Sequence, residues 1–222
     1  MLFKTFIKKF FLAKKSSKKN IIFSGGKSIH KALNLVSTSI QTPKKMDVHL
    51  LDERIIKNNN LRNYSLIKKK LKKNKFNILT LERRKINKLN INNLKKKFKN
   101  SKPITILGMG DDGHFASIFN SSKLFKELID KKNKPNILVT EKIGKPFCKR
   151  LTMNLSMILL SYKIIIFLNE KKKINLFKKF MNSQDKFEYP IFHLMLHGQK
   201  KILISINGKL STFKKLNIGK IK

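Results

Sequence analysis

Short apolar runs alternate along the chain with stretches in which hydrophobic side chains recur every three or four residues. The runs Ile21–Phe23, Asp47–Leu51, Phe76–Thr80, Ile104–Leu107, Asn136–Thr140, Lys163–Leu168 and Lys201–Ile206 predict strands, with helical patterns between them. Ahead of the first run, Phe3, Phe6, Ile7, Phe10 and Phe11 fall at helical spacing and predict an amphipathic helix. Lys8, Lys9, Lys14 and Lys15 interrupt the apolar core that a secretory signal requires. Ile29, Ala32, Leu33 and Val36 predict a second helix, and Tyr64–Leu71 a further one after the Asn58-Asn59-Asn60 loop. The alternation is that of βαβ units around a largely parallel sheet, an α/β fold. At 222 residues, one domain over 1–222 is expected.

Composition changes this picture less than its numbers suggest. A formal charge of +40 ordinarily points to a polyanion. Here the basic residues are almost all lysine and are spread along the whole chain, and Asn, Ile and Phe are equally abundant, as an A+T-rich coding sequence dictates. The runs Lys68–Lys75 and Lys95–Lys99 read as solvated helix ends. Lysines clustered with stacking aromatics, which a nucleic-acid binder needs, are not evident, so no specific nucleic acid partner is expected. A non-catalytic basic nucleic-acid-binding protein stands as one alternative. No stretch of 18 apolar residues exists, so no membrane span is expected. The single cysteine, Cys148, has no internal disulfide partner, and no Cys/His set has zinc spacing. A reducing, cytoplasmic setting and a site without metal follow as expectations.

Five of the nine glycines and four of the twelve acids fall in three short turns, each just past a predicted strand. Open α/β sheets place their ligand crevice at such ends. The first turn, Ser24-Gly25-Gly26-Lys27-Ser28, bends tightly before a helix start, where converging backbone N–H groups suit a phosphate. Glycine turns after strands are common, so this one decides nothing by itself. In the second, Asp52-Glu53-Arg54 sets two carboxylates and a guanidinium at the end of a buried strand, where pairing or ligand contact is required. Only five arginines remain in the chain, and a planar fork cannot be replaced by an ammonium, which gives Arg54 weight. A structural Asp–Arg pair is the competing explanation.

The third turn, Gly108-Met109-Gly110-Asp111-Asp112-Gly113-His114, is the strongest. Its glycines permit a contorted backbone that presents Asp112 beside His114, and histidine is the side chain best suited to moving protons near neutrality. Of the other histidines, His30 begins a helix, His49 lies within an apolar strand as a core residue, and His193 and His197 follow Pro190 in a helical or looped segment.

Taken in order, Ser-Gly-Gly-x-Ser, Asp-Glu-Arg, Asn63-Tyr64 and Gly-Met-Gly-x-Asp-Gly-His-x-Ala-Ser-x-Phe resemble the 6-phosphogluconolactonases, relatives of the glucosamine-6-phosphate deaminases. Arg150-Leu151-Thr152-Met153 is similar to that family's Arg-x-Thr-Leu stretch, and Ile164–Leu168 leading to Lys173 is similar to a strand followed by a phosphate-proximal lysine. Ile29, Arg62 and Glu170 depart from the pattern, where the family has proline, serine and glycine. Deaminases of this group carry Asp-Glu-Tyr and continue from the histidine toward Phe-Asn-Glu-Pro. This chain has Arg54 and Ala116-Ser117-Ile118-Phe119 there.

The resemblance implies a three-layer, Rossmann-like fold and hydrolysis of 6-phospho-D-glucono-1,5-lactone, the second step of the oxidative pentose phosphate pathway, with no cofactor. It implies a small sugar phosphate as partner, no membrane, and a monomer or weak homodimer. A deaminase-like sugar-phosphate isomerase is the second alternative. On this reading His114 is the base, Asp112 orients it, Arg54 polarises the carbonyl and Asp52 supports Arg54. Ser24, Gly25, Gly26, Lys27, Ser28, Asn63, Gly110, Arg150 and Lys173 hold the substrate, chiefly its phosphate.

Overall fold

The computed structural model describes residues 1–12, 20–40, 46–71 and 75–212. Its main sheet has seven strands. They are β1 (Asn20–Phe23), β2 (Met46–Leu50), β4 (Phe76–Ile78), β5 (Ile104–Leu107), β8 (Lys163–Leu168), β9 (Ile202–Ile206) and β10 (Lys209–Thr212). A second, three-stranded sheet holds β3 (Asp52–Arg54), β6 (Ile137–Val139) and β7 (Arg150–Met153). The main sheet runs β10-β9-β8-β5-β1-β2-β4, with every pair parallel except β10 against β9. The chain first builds outward from β1 through β2 to β4. It then returns to the other side of β1 with β5 and builds outward again, so the carboxyl ends of β1 and β5 flank a topological switch point.

Side chains alternate across the strands and divide the core in two. On one face Ile21, Phe23, Ile104, Ile106, Ile165 and Phe167 meet α1 (Phe3–Leu12), α2 (His30–Ser39) and α3 (Asn63–Lys70). Phe3, Ile7 and Phe11 are the buried stripe of α1, as their spacing predicts. On the other face Ile22, Leu107, Ile164, Ile166 and Ile204 meet the second sheet and four helices. These are α4 (Lys88–Ser101), α6 (Leu155–Ile158), α7 (Lys171–Asn182) and α8 (Pro190–Gly198), and the short α5 (Phe125–Ile129) adds its buried Leu128 to the same core. The result is the expected three-layer arrangement.

Three differences from the sequence expectations have physical causes. The run Asn136–Thr140 is a strand, but it belongs to the second sheet, where Ile137–Val139 pairs antiparallel with Met153–Leu151. Asp52-Glu53-Arg54 is a strand rather than a turn, because Thr152, Leu151 and Arg150 pair with it residue for residue and override the poor β propensity of acids. A further strand, β10, pairs with β9 through a turn at Asn207-Gly208, both at positive φ (48° and 79°), as a tight hairpin demands. Parts of the lysine run 68–75 and of the segment 1–20, including Lys14 and Lys15, lie outside the described residues. Among the described residues no helix is long and apolar enough to cross a membrane.

Candidate active site

Past β5 the chain folds back on itself. The Gly110 N–H donates to the carbonyl of His114 at 2.8 Å and that of Gly113 to the carbonyl of Gly110 at 3.3 Å. This brings the imidazole directly over Gly110. A methyl group there would come within 2.1 Å of His114 Nδ1 and 2.7 Å of Asp112 Oδ1, so no larger residue fits. His114 Nδ1 lies 2.5 Å from Asp112 Oδ1, which also accepts the His114 backbone N–H at 3.2 Å. One face of the ring stacks on Phe119, with centroids 4.1 Å apart. Between them Ala116 adopts φ 52°, a left-handed conformation that costs a side-chain-bearing residue about 1–2 kcal/mol. Partial burial of Asp112 raises its pKa, but the hydrogen bond and charge of His114 outweigh this, so the carboxyl titrates below its ordinary range.

The strand β3 forms the opposite wall. Asp52 and Arg54, two residues apart, share one face, and Arg54 stands across from Arg150 of β7. Asp52 is buried and accepts a hydrogen bond from the Ser117 hydroxyl at 2.7 Å, rather than one from Arg54. Arg54 Nη1 donates to the carbonyl of Leu61 at 2.7 Å. Glu53, on the other face, accepts the backbone N–H groups of Arg54, Asn63 and Tyr64 at 2.7–2.9 Å, and so caps the start of α3. Among the described residues neither Arg54 nor Arg150 forms an ion pair. Burial lowers the pKa of Arg150, and the charge of Asp52 works against that.

The turn after β1 closes the third side. The Gly108 N–H donates to Ser24 Oγ at 3.2 Å, tying this turn to the one that carries His114. Gly25 lies against Asn63, and a methyl group on it would meet Asn63 Oδ1 at 1.8 Å. Asn63 Nδ2 in turn donates to the Asp52 carbonyl at 3.0 Å.

Ser24, Gly25, Gly26, Ser28, Asp52, Arg54, Asn63, His114 and Arg150 thus line one cleft, at the switch point of the sheet. Gly110 and Asp112 stand behind the imidazole. Lys173 does not line the cleft: with Lys172 it pairs with Asp111, at the start of α7. The side chain of Lys27 lies outside the described residues. Lys145 and Phe119 also line the cleft. Phe119 ends the glycine-histidine motif, whereas nothing marks Lys145 among so many lysines.

Three of the buried side-chain atoms without a hydrogen-bond partner among the described residues, Asp52 Oδ1, Arg54 Nε and Asn63 Oδ1, belong to residues of this cleft. Native proteins leave few such atoms, and three of them on the residues of one cleft set it apart as the candidate site. A wider groove of about 770 Å³, bordered by Arg62, Tyr64, Lys68 and Glu82 on the outside of α3, has no such atom. Among the described residues no group of three potential metal ligands occurs.

Comparison with known proteins gives a consistent result. The profile of a family described as glucosamine-6-phosphate isomerases/6-phosphogluconolactonase matches residues 4–204. A 6-phosphogluconolactonase of Helicobacter pylori is 28% identical over 193 residues, covering 84% of this chain and 82% of its own. A solved 6-phosphogluconolactonase from Plasmodium vivax superposes with a TM-score of 0.69 at 21% identity, covering 99% of this chain and 88% of its own. A solved monomeric glucosamine-6-phosphate deaminase superposes with a TM-score of 0.62 at 14% identity, covering 92% of each chain. These two structures carry the same fold under two activities, so fold alone does not separate them.

Proposed function

The chain belongs to the glucosamine-6-phosphate isomerase/6-phosphogluconolactonase family, and from that premise we propose that it hydrolyses 6-phospho-D-glucono-1,5-lactone to 6-phosphogluconate, as in the oxidative pentose phosphate pathway. The observation that carries this reading is the 2.5 Å contact between Asp112 Oδ1 and His114 Nδ1 on the rim of a cleft holding two arginines that form no ion pair among the described residues. With Nδ1–H given to Asp112, the neutral ring leaves Nε2 unprotonated, the form a general base requires.

A δ-lactone is an activated ester. Water adds to C1 as His114 Nε2 takes its proton, and the carbonyl oxygen becomes an oxyanion. Arg54, its guanidinium aligned through the Leu61 carbonyl, faces that charge. The C1–O5 bond then breaks, and the imidazolium returns its proton to O5, which becomes the C5 hydroxyl. The acid formed at C1 loses a proton to solvent. Asp112 stabilises the imidazolium between the two steps, and its lowered pKa keeps it charged for that role. Asp52 Oδ1 and Asn63 Oδ1 are acceptors for substrate hydroxyls. The glycine turn after β1, with α2 behind it, suits the phosphate.

The test is to supply lactone freshly made from glucose 6-phosphate and follow its decay, with glucosamine 6-phosphate assayed in parallel for ammonia. Decay well above the spontaneous rate without ammonia release is expected. Ammonia release without accelerated decay would assign the deaminase activity instead.

A further inference from the structure

Two cations that the sequence offers as phosphate holders are engaged elsewhere. Lys173 is paired with Asp111. Arg150 is buried and donates Nε to the carbonyl of Ile143 at 2.9 Å and Nη2 to the carbonyl of Pro146 at 3.0 Å. Both acceptors belong to the loop that joins β6 to β7. The loop is closed at its base by the Thr140 N–H on the Arg150 carbonyl at 2.8 Å, and by the Ile143 N–H on the Cys148 carbonyl at 3.1 Å. Gly144, at φ 71°, turns it tightly over the guanidinium, so that a methyl group there would come within 2.8 Å of Arg150 Nη2. The planar fork of Arg150 therefore pins this loop from beneath, a task that an ammonium cannot perform. Its other face lies over Phe119, 5.4 Å from the ring centroid, and Phe119 is the ring on which His114 stacks.

What the pinned loop delivers to the cleft is Lys145. It is exposed, it lines the cleft, and it forms no hydrogen bond or ion pair among the described residues. We infer that Lys145 captures the phosphate of the substrate at the mouth of the cleft, and that Arg150 is a positioning residue holding the loop that carries it. The inference rests on the lactonase reading of the same site. An ammonium on a flexible stem brings three donors to a dianion without needing a fixed geometry, whereas Arg150 has two of its donors committed. The phosphate is bound alike in ground and transition states, so its capture acts on KM rather than on kcat.

Inorganic phosphate titrated calorimetrically into the wild type and into Lys145→Met separates this role from a passive one. One charge-assisted contact corresponds to roughly a tenfold loss of affinity. Lys145→Arg retains most of the affinity. Arg150→Lys keeps the charge but cannot bond both carbonyls, and its phosphate affinity falls with that of Lys145→Met. With lactones, the preference in kcat/KM for the phosphorylated over the unphosphorylated glucono-1,5-lactone falls about tenfold in Lys145→Met, through KM. Unchanged phosphate affinity and unchanged KM in Lys145→Met would overturn the inference. A wild type that hydrolyses neither lactone defeats the lactonase reading, and the phosphate titration still decides the role of Lys145 as an anion-capturing residue.

Discussion

Two histidines on the main sheet receive opposite treatment. His49 sits within β2, packed edge-on against Phe98 with ring centroids 5.0 Å apart, and its buried Nε2 has no partner among the described residues. Burial, and then the charge of Lys97, push its pKa down to about 4, so it remains neutral at physiological pH. His114 lies past the end of β5, partly open to the cleft, with a carboxylate on one nitrogen and an aromatic ring beneath. The residue type is the same and the sheet is the same. What differs is position relative to the strand end: inside the sheet the imidazole is surrounded by hydrocarbon, while beyond it a glycine turn brings up its own acid.

That contrast can be broken by substitution. Removing the proposed base is expected to have the largest effect: His114→Ala lowers kcat/KM on the lactone by about 10³-fold, the middle of the range for a general base, with an unchanged melting temperature. Gly110→Ala leaves the histidine in place but forces the ring off its seat. A displacement on the order of 1 Å costs roughly 10²-fold in the same assay. Asp112→Asn keeps an acceptor for Nδ1 but removes the charge that stabilises the imidazolium, and about tenfold in kcat is expected.

The smallest effect on activity belongs to the other histidine. His49→Leu leaves kcat/KM within about twofold, because the residue is remote from the reacting atoms, and its consequence lies in stability. A histidine with a depressed folded pKa is neutral in the folded state while the unfolded chain still binds a proton. Stability is therefore lost as pH falls from about 6.5 toward 4, by roughly 3 kcal/mol in total, and nothing changes above that window. Denaturant titrations of wild type and His49→Leu across this interval should show a larger loss in the wild type, the remainder in the variant coming from His197, whose pKa burial also lowers.

The same contrast explains how much was legible in the sequence. The apolar runs of β1, β2, β5, β8 and β9 were plain because a strand buried on both faces needs continuous hydrocarbon, and the Gly108–His114 turn was plain because three glycines, two acids and a histidine crowd into seven residues. The strand β3 was not, since its three charged residues are held in extended form by a partner about a hundred positions away. Nor was the division of labour among cations visible. The partner of Lys173 is Asp111, the partners of Arg150 are two carbonyls on a loop, and Asp52 turns to Ser117 instead of Arg54. Each of these depends on tertiary contacts that leave no local pattern. The Asn207-Gly208 turn is the exception, a hairpin signal written in two adjacent residues.

On the proposed mechanism Asp112 holds the His114 imidazole with its second nitrogen bare. Nitrogen-15 NMR of the imidazole, recorded on ring-labelled wild type at a pH where the ring is neutral, tests it most directly. A proton on Nδ1 and none on Nε2 is expected, a preference that weakens in Asp112→Ala. A proton resident on Nε2 in the wild type would contradict it, because that nitrogen then has no room for the proton of water.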